Sequence, residues 1–287
     1  MNNNHLQGKT AIITGAGYAT LSDGRCGSIG YGIATAFAKE GANLVITGRQ
    51  IPKLEKAKAE LERLYGVKVL AIPADISAGA DNAATAKAVV DAVKIPVTVK
   101  TRLGWDHDHR IIVDLAEQLQ DCGIEALTVH GRTRAQMYTG EADWTLIGEV
   151  KNNPRMTIPI IGNGDVVDGP SAKYFLDNFG VDGLMIGRAT YGNPWIFREV
   201  KHYLKTGEIL PSPDVCERVR VSLAHLVDSL NYKKDELYAV MEMRKHWGLY
   251  FKGYANFKQF KLRLMEAKTI EEVSAILDEV VNFYNNQ

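Results

Sequence analysis

Seven short apolar, β-rich runs recur between residue 9 and about residue 205: "KTAIITG", "NLVITG", "KVLAIPAD", "PVTVKTR", "ALTVHG", "IPIIGN" and "GLMIG". Each is followed by a segment whose apolar positions fall three or four apart, as on one face of a helix. The alternation recurs about every 30 residues, the length of a βαβ unit. It predicts an α/β fold of parallel βα units. Most of the runs are continuously apolar, as expected for strands with helices over both sheet faces. Past Leu210 the strand signal stops. Pro211 and Pro213 mark the change, and the rest reads as a helical domain ending in "TIEEVSAILDEVVNFY", where Thr269 and Glu272 have the spacing of a capping box. Seven units leave two arrangements open: a barrel-like closure with the first strand beside the last, or an open doubly wound sheet.

The first βα turn carries candidate chemistry. "GKTAIITGAG" and "GSIGYGIATAFAKEGANLVITGR" spell strand, glycine-rich turn, helix and second strand. Gly15, Gly17 and Gly30 suit a tight reversal, close approach of a phosphate to the backbone and close helix packing, with the helix N-terminus offering amides to a pyrophosphate. Arg49 ends the second strand where an acidic residue would bind a ribose hydroxyl. A cation there suits a 2′-phosphate and hence NADP(H). Over residues 6–90 this segment, with Thr14, Gly32 and "ADIS" at 74–77, resembles the short-chain dehydrogenase/reductase family. The resemblance implies a Rossmann-like half in which Asp75 contacts the adenine. The loop "YATLSDGRC" is longer than usual for that family. The family's catalytic Ser and Tyr-x-x-x-Lys have no match in context, and "YANFK" at 254–258 lies in the helical tail.

From about Val90 the chain reads differently. "PVTVKTRLGWD", "LTVHGRTRAQMYTGEADW", "IPIIGNGDV", "DGLMIGRATYGNPWIF" and "MRKHWGLYFKG" follow in order. Lys100 and His130 stand at the ends of successive strands, where barrel enzymes carry their function, and could hydrogen-bond a flavin ring. "GNGD" and "GR" follow the next two strands as a phosphate site would. These motifs resemble the tRNA-dihydrouridine synthases to near the C-terminus. The resemblance implies the second half of a TIM-type barrel in which Lys100, His130, Asn163, Gly164, Asp165, Gly187 and Arg188 hold FMN, with Arg132 and Arg134 near the RNA substrate. It also implies an acid Cys in an "N-x-x-C-P"-like loop, which this sequence lacks. Cys26, Cys122 and Cys216 all lie elsewhere.

Composition narrows this picture little. The 287 residues hold 34 basic and 34 acidic side chains, so a nucleic-acid surface must be a local patch. The candidate is residues 244–268, with seven Lys/Arg against one Glu interleaved with Trp247, Tyr250, Phe251, Tyr254, Phe257 and Phe260. That pattern fits a tRNA footprint, or equally an amphipathic helix pair with its rings in the core. The first residues do not read as a signal peptide, and no run is long and apolar enough for a membrane span. Three scattered cysteines favour a reducing, cytoplasmic setting.

The reading is a hybrid: a dinucleotide-binding segment at 1–90, a half-barrel FMN segment at 91–207 and a helical, tRNA-binding type of domain at 208–287. The expected activity is that of a flavin-dependent oxidoreductase in which NADPH reduces FMN and FMN reduces uridine in tRNA. An NADP-dependent short-chain reductase and a catalytically inactive α/β chimera are the alternatives. The seam is "PADISAGADNAATAKAVVDAVKIPVTVK", whose central helix either family could supply.

Overall fold

The computed structural model describes residues 5–20, 28–74, 79–92 and 94–286, in two compact units, Met1–Ile161 and Gly162–Gln287. In the first unit, β1 (Thr10–Ile13), α1 (Ile29–Lys39), β2 (Asn43–Gly48), α2 (Ile51–Tyr65), β3 (Val69–Pro73), α3 (Gly79–Ala92), β4 (Thr98–Arg102), α4 (Ile112–Asp121), β5 (Ala126–His130) and α5 (Thr145–Asn152) alternate. All seven predicted strands form. The sixth, β6 (Ile160–Asn163), crosses into the second unit, and β7 (Gly183–Met185) lies within it.

The strands make two separate sheets, of order β1-β2-β3 and β4-β5-β6-β7. β1 pairs parallel with β2, β2 with β3, and β4 with β5. Among the described residues the strands form neither one closed barrel nor one continuous sheet, while the expected parallel βα units with helices at the C-terminus are present.

In the first sheet the chain steps from β1 to β2 to β3 in one direction. Right-handed crossovers then put both connecting helices on the same face. Ile13 and Ile46 are in register there and share a core with Ala34 and Ala38 of α1 and with Leu54, Ala57 and Leu61 of α2. The opposite face carries Ile12, Val45 and Leu70 in register. Val45 is buried, but Ile12 and Leu70 are 44% and 36% exposed. Central β2 is therefore buried on both faces, whereas its flanking strands leave one face partly exposed.

A cavity of about 500 Å³ lies in the first unit, lined by Ile12 and Thr14, by Thr85 and Val89 of α3, by β4 and by α4. This volume is within the range of small-molecule sites. It sits where a doubly wound sheet would pair its first strand with its fourth.

In the second unit, α6 (Gly169–Phe179) follows β6, and a 3-10 turn (Arg188–Thr190) follows β7. Then come α7 (Ile196–Thr206), α8 (Val215–Lys233), α9 (Glu236–Tyr250), α10 (Lys258–Glu266) and α11 (Ile270–Asn285). The expected capping box forms: Thr269 Oγ1 accepts from the Glu272 amide, and the Glu272 side chain accepts from the Thr269 amide. Trp195, Leu226, Met243, Trp247, Leu264 and Leu277 belong to the buried core of these helices. No helix among the described residues is long and apolar enough to cross a membrane.

Candidate functional site

The glycine turn is built for close approach. A Cβ on Gly30 would meet the Gly15 carbonyl oxygen at 2.4 Å, so only glycine lets α1 start so near the end of β1. Gly15 itself has φ 66°. Ser28 caps the helix by accepting from the Tyr31 amide. Gly17 packs against Lys53, with 3.3 Å between a would-be Cβ and that side chain. Arg49 is exposed beyond β2. Asp75, Cys26 and most of the long loop at 18–26 lie outside the described residues.

The β4–β5 register gathers charged groups. Arg102 is opposite His130 and Lys100 opposite Thr128. Residues two apart in a strand share a face, so Lys100, Arg102 and His130 stand on one side of the sheet. Burial, and then the neighbouring Arg102 charge, lowers the proton affinity of Lys100. Lys100 also lines the 500 Å³ cavity together with Thr14, a residue of the first glycine-rich turn. His130 is buried, 6.4 Å from Tyr138 between ring centroids.

The arginines of the β5–α5 loop divide. Arg132 is 2% exposed, and its guanidinium donates to the carbonyls of Thr139 and Gly140, folding the loop onto itself. Arg134 is exposed, its guanidinium 5.8 Å from the Trp105 ring centroid. Arg102 donates to the carbonyls of Thr133 and Met137 at 2.7 and 2.8 Å and so fixes the same loop. The i, i+2 spacing of Lys100 and Arg102 was the sequence signal for that shared face. The exposure of Trp105 and Tyr138 had none.

In the second unit, Asn163 is buried and donates to the Met185 carbonyl at 2.7 Å, tying the end of β6 to β7. Gly164 and Asp165 have φ 128° and 55°, which turns the chain sharply out of β6. Arg188 reaches Asp165 at 3.1 Å. Gly187 has open space where a Cβ would stand. Backbone amides and a guanidinium at such a turn are a donor set suited to a phosphate.

The two described cysteines lie apart from these groups. Cys122 caps α4, its thiol is pushed up by burial, and its Sγ donates to the Ala83 carbonyl. Cys216 is exposed on α8.

The tail decides between its two readings in favour of rings in the core. Trp247, Tyr250, Phe251, Phe257 and Phe260 are all buried, so they present no rings to RNA. Phe251 stacks on Phe257 at 4.5 Å, and Trp247 is fully enclosed. The reason is helical periodicity. Positions 243, 247, 250 and 251, and then 257, 260 and 264, repeat at three and four and fall on core faces. The interleaved lysines point to solvent, and only they remain to meet phosphate.

The dihydrouridine synthase family model matches residues 80–286. The chain belongs to that family. The short chain dehydrogenase model matches residues 9–99, so the two overlap on 80–99, within the seam. The tRNA-dihydrouridine synthase B of Pseudomonas putida is 42% identical over 200 residues, covering 70% of this chain and 58% of that protein. The enzyme of the same name from Serratia marcescens is 44% identical over 200 residues, covering 69% and 58%. The chain thus spans under two-thirds of the length of these relatives. Among solved structures, an L-sorbose reductase from Gluconobacter frateurii complexed with NADPH and L-sorbose aligns with 63% of this chain and 80% of its own, at 21% identity and a TM-score of 0.34.

Proposed function

We propose that the chain is a flavin-dependent oxidoreductase of the tRNA-dihydrouridine-synthase type, taking NADPH, FMN and uridine in tRNA, and acting in the cytoplasm. The observation that carries this reading is the register that sets Lys100, Arg102 and His130 on one sheet face at the C-terminal ends of β4 and β5, within the segment the family model matches. Lys100 and His130 would hold the flavin ring. Asn163, Gly164, Asp165, Gly187 and Arg188 would hold its phosphate. Gly15, Gly17, Gly30, Arg49 and Asp75 would hold NADPH. The residues fit these groups chemically: Lys100 borders a cavity and Gly187 leaves room for an oxygen. Bound FMN would relay a hydride from the nicotinamide to the uracil ring.

Supporting the hybrid origin is the overlap of two family models on the α3 segment. The functional division then runs 1–90, 91–207 and 208–287, and helices at 208–287 contribute the tRNA side.

The lack of an acid Cys loop sets the expected rate. Losing a positioned general acid costs about 10²–10⁴-fold. The test is to load purified protein with FMN, remove the excess and record visible absorption, then add NADPH without oxygen and assay uridine reduction. We expect retained flavin that bleaches, followed by slow RNA turnover. Protein that retains no flavin sinks the reading.

One observation favours a second reading, a short-chain reductase: Gly30 lies against the Gly15 carbonyl, the close approach a dinucleotide-binding turn needs. Carbonyl reduction by flavin-free protein would establish it. Protein that binds neither cofactor is an inactive chimera.

A further inference from the structure

The loops after β4 and β5 each expose an aromatic ring beside a guanidinium. Trp105 is 60% exposed, whereas Trp144, Trp195 and Trp247 are at most 7% exposed. Leaving one indole in water is unfavourable for folding, and the surrounding turn fixes it there. A Cβ on Gly104 would fall 1.9 Å from the His109 carbonyl oxygen, so glycine is required for the turn to close. The Trp105 amide donates to the His109 carbonyl at 3.1 Å. The Asp106 carboxylate accepts from the amides of Asp108 and His109 and meets the His109 ring at 2.7 Å.

The second loop locks onto the first. The Arg134 amide donates to the Gly104 carbonyl at 2.9 Å and the Ala135 amide to the Trp105 carbonyl at 2.7 Å. These bonds bring the Arg134 guanidinium to the Trp105 ring. On the same loop Tyr138 is 56% exposed, with the Arg102 guanidinium 5.7 Å from its centroid.

Each ring is therefore paired with a cation and held by backbone bonds. An open aromatic face beside a guanidinium matches a partner that carries flat rings on an anionic chain. We propose that Trp105 with Arg134, and Tyr138 with Arg102, form a stacking platform for unpaired nucleotides of RNA. Bases stack on the rings while the guanidiniums meet the phosphates. The choice of RNA over other nucleic acid rests on the function proposed above; the platform itself rests on exposure and geometry.

Trp105 reports on its own occupancy, since the other three tryptophans are buried. The experiment titrates intrinsic fluorescence with a single-stranded oligouridylate, without flavin or NADPH, and repeats it with the same strand in a duplex and with inorganic polyphosphate. The single strand should quench the exposed indole and bind more tightly than the duplex or polyphosphate. Trp105→Leu, read by anisotropy of a labelled strand, should weaken binding about tenfold. Arg134→Lys keeps the charge but loses the planar stack, and should weaken binding several-fold. Unchanged affinity in Trp105→Leu overturns the proposal, as does no binding at all, or polyphosphate or duplex binding equal to that of the single strand. Trp105-dependent binding by protein that holds no flavin supports the platform while removing the activity proposed above. Flavin reduction by protein whose RNA affinity ignores Trp105 does the reverse.

Discussion

Two stretches of this chain mix aromatic and basic residues, and the fold uses them in opposite ways. In residues 244–268 the rings other than Tyr254 are core and the lysines are solvated. In the loops after β4 and β5 the rings face solvent with guanidiniums beside them. Composition alone does not separate these cases. The phase of the rings along a helix does so in the tail, and a glycine-locked turn does so in the loop.

The largest test of this contrast is to remove one tryptophan from each region. Trp247 is fully buried, so Trp247→Ala should cost about 3–5 kcal/mol of stability. Trp105→Ala should stay within about 0.5 kcal/mol, because its indole is mostly hydrated already. Urea unfolding of the two variants measures both, and equal costs would break the comparison.

The turn is the next target. Gly104→Ala introduces a methyl group that must displace the His109 carbonyl, at an expected cost of about 1–3 kcal/mol. The urea midpoint should drop. Loss of the preset turn should also weaken quenching of Trp105 by oligouridylate. A variant with wild-type stability and quenching would show that the turn does not fix the indole.

The tail also holds a titratable pair in its packing. The His225 and His246 rings lie 4.8 Å apart, and the His225 Nδ1 is 3.1 Å from the Tyr250 hydroxyl. Burial lowers both pKa values. The Lys245 charge adds to this for each and the His225 ring adds to it for His246, while Glu242 opposes it for both and Asp228 for His225. As acid is added the unfolded chain takes up these protons before the folded one does. Stability of the helical unit should therefore fall as pH drops through the ordinary His value of about 6.5, levelling off below the folded values. Urea midpoints across that range should show the decline, and His246→Gln should make it shallower.

Much of this was legible in the sequence, for identifiable reasons. All seven strands announced themselves because short β-rich runs alternate with segments of helical spacing. The Thr269–Glu272 box was legible because capping is local. Gly30 could be assigned to close packing from its motif, and the structure supplies the carbonyl it packs against. The sheet break was not legible, since nothing in the apolar runs of β1 and β4 says whether they pair. Arg132 was hidden for a similar reason: its acceptors are loop carbonyls, and any residue type supplies those. The tail stayed open between an RNA footprint and a core because residue types were counted without their helical phase.

The smallest expected effect concerns what the tail keeps for RNA once its rings are spent in the core. Lys252 and Lys258 are exposed. Arg263 is committed to Glu279 through two bonds of 2.6 and 2.7 Å, and Arg244 donates to the Ala267 carbonyl. A lysine that meets a phosphate releases about one counterion, so each should add a little under one unit to the salt dependence of binding. Lys252→Ala and Lys258→Ala should each flatten the plot of log affinity against log salt by about 0.7–0.9, with no preference between single strand and duplex. Trp105→Leu should lower affinity with the slope unchanged. If the lysine variants instead altered discrimination between single strand and duplex, the tail would be reading RNA structure rather than only its charge, and the division of labour between the two regions would fail.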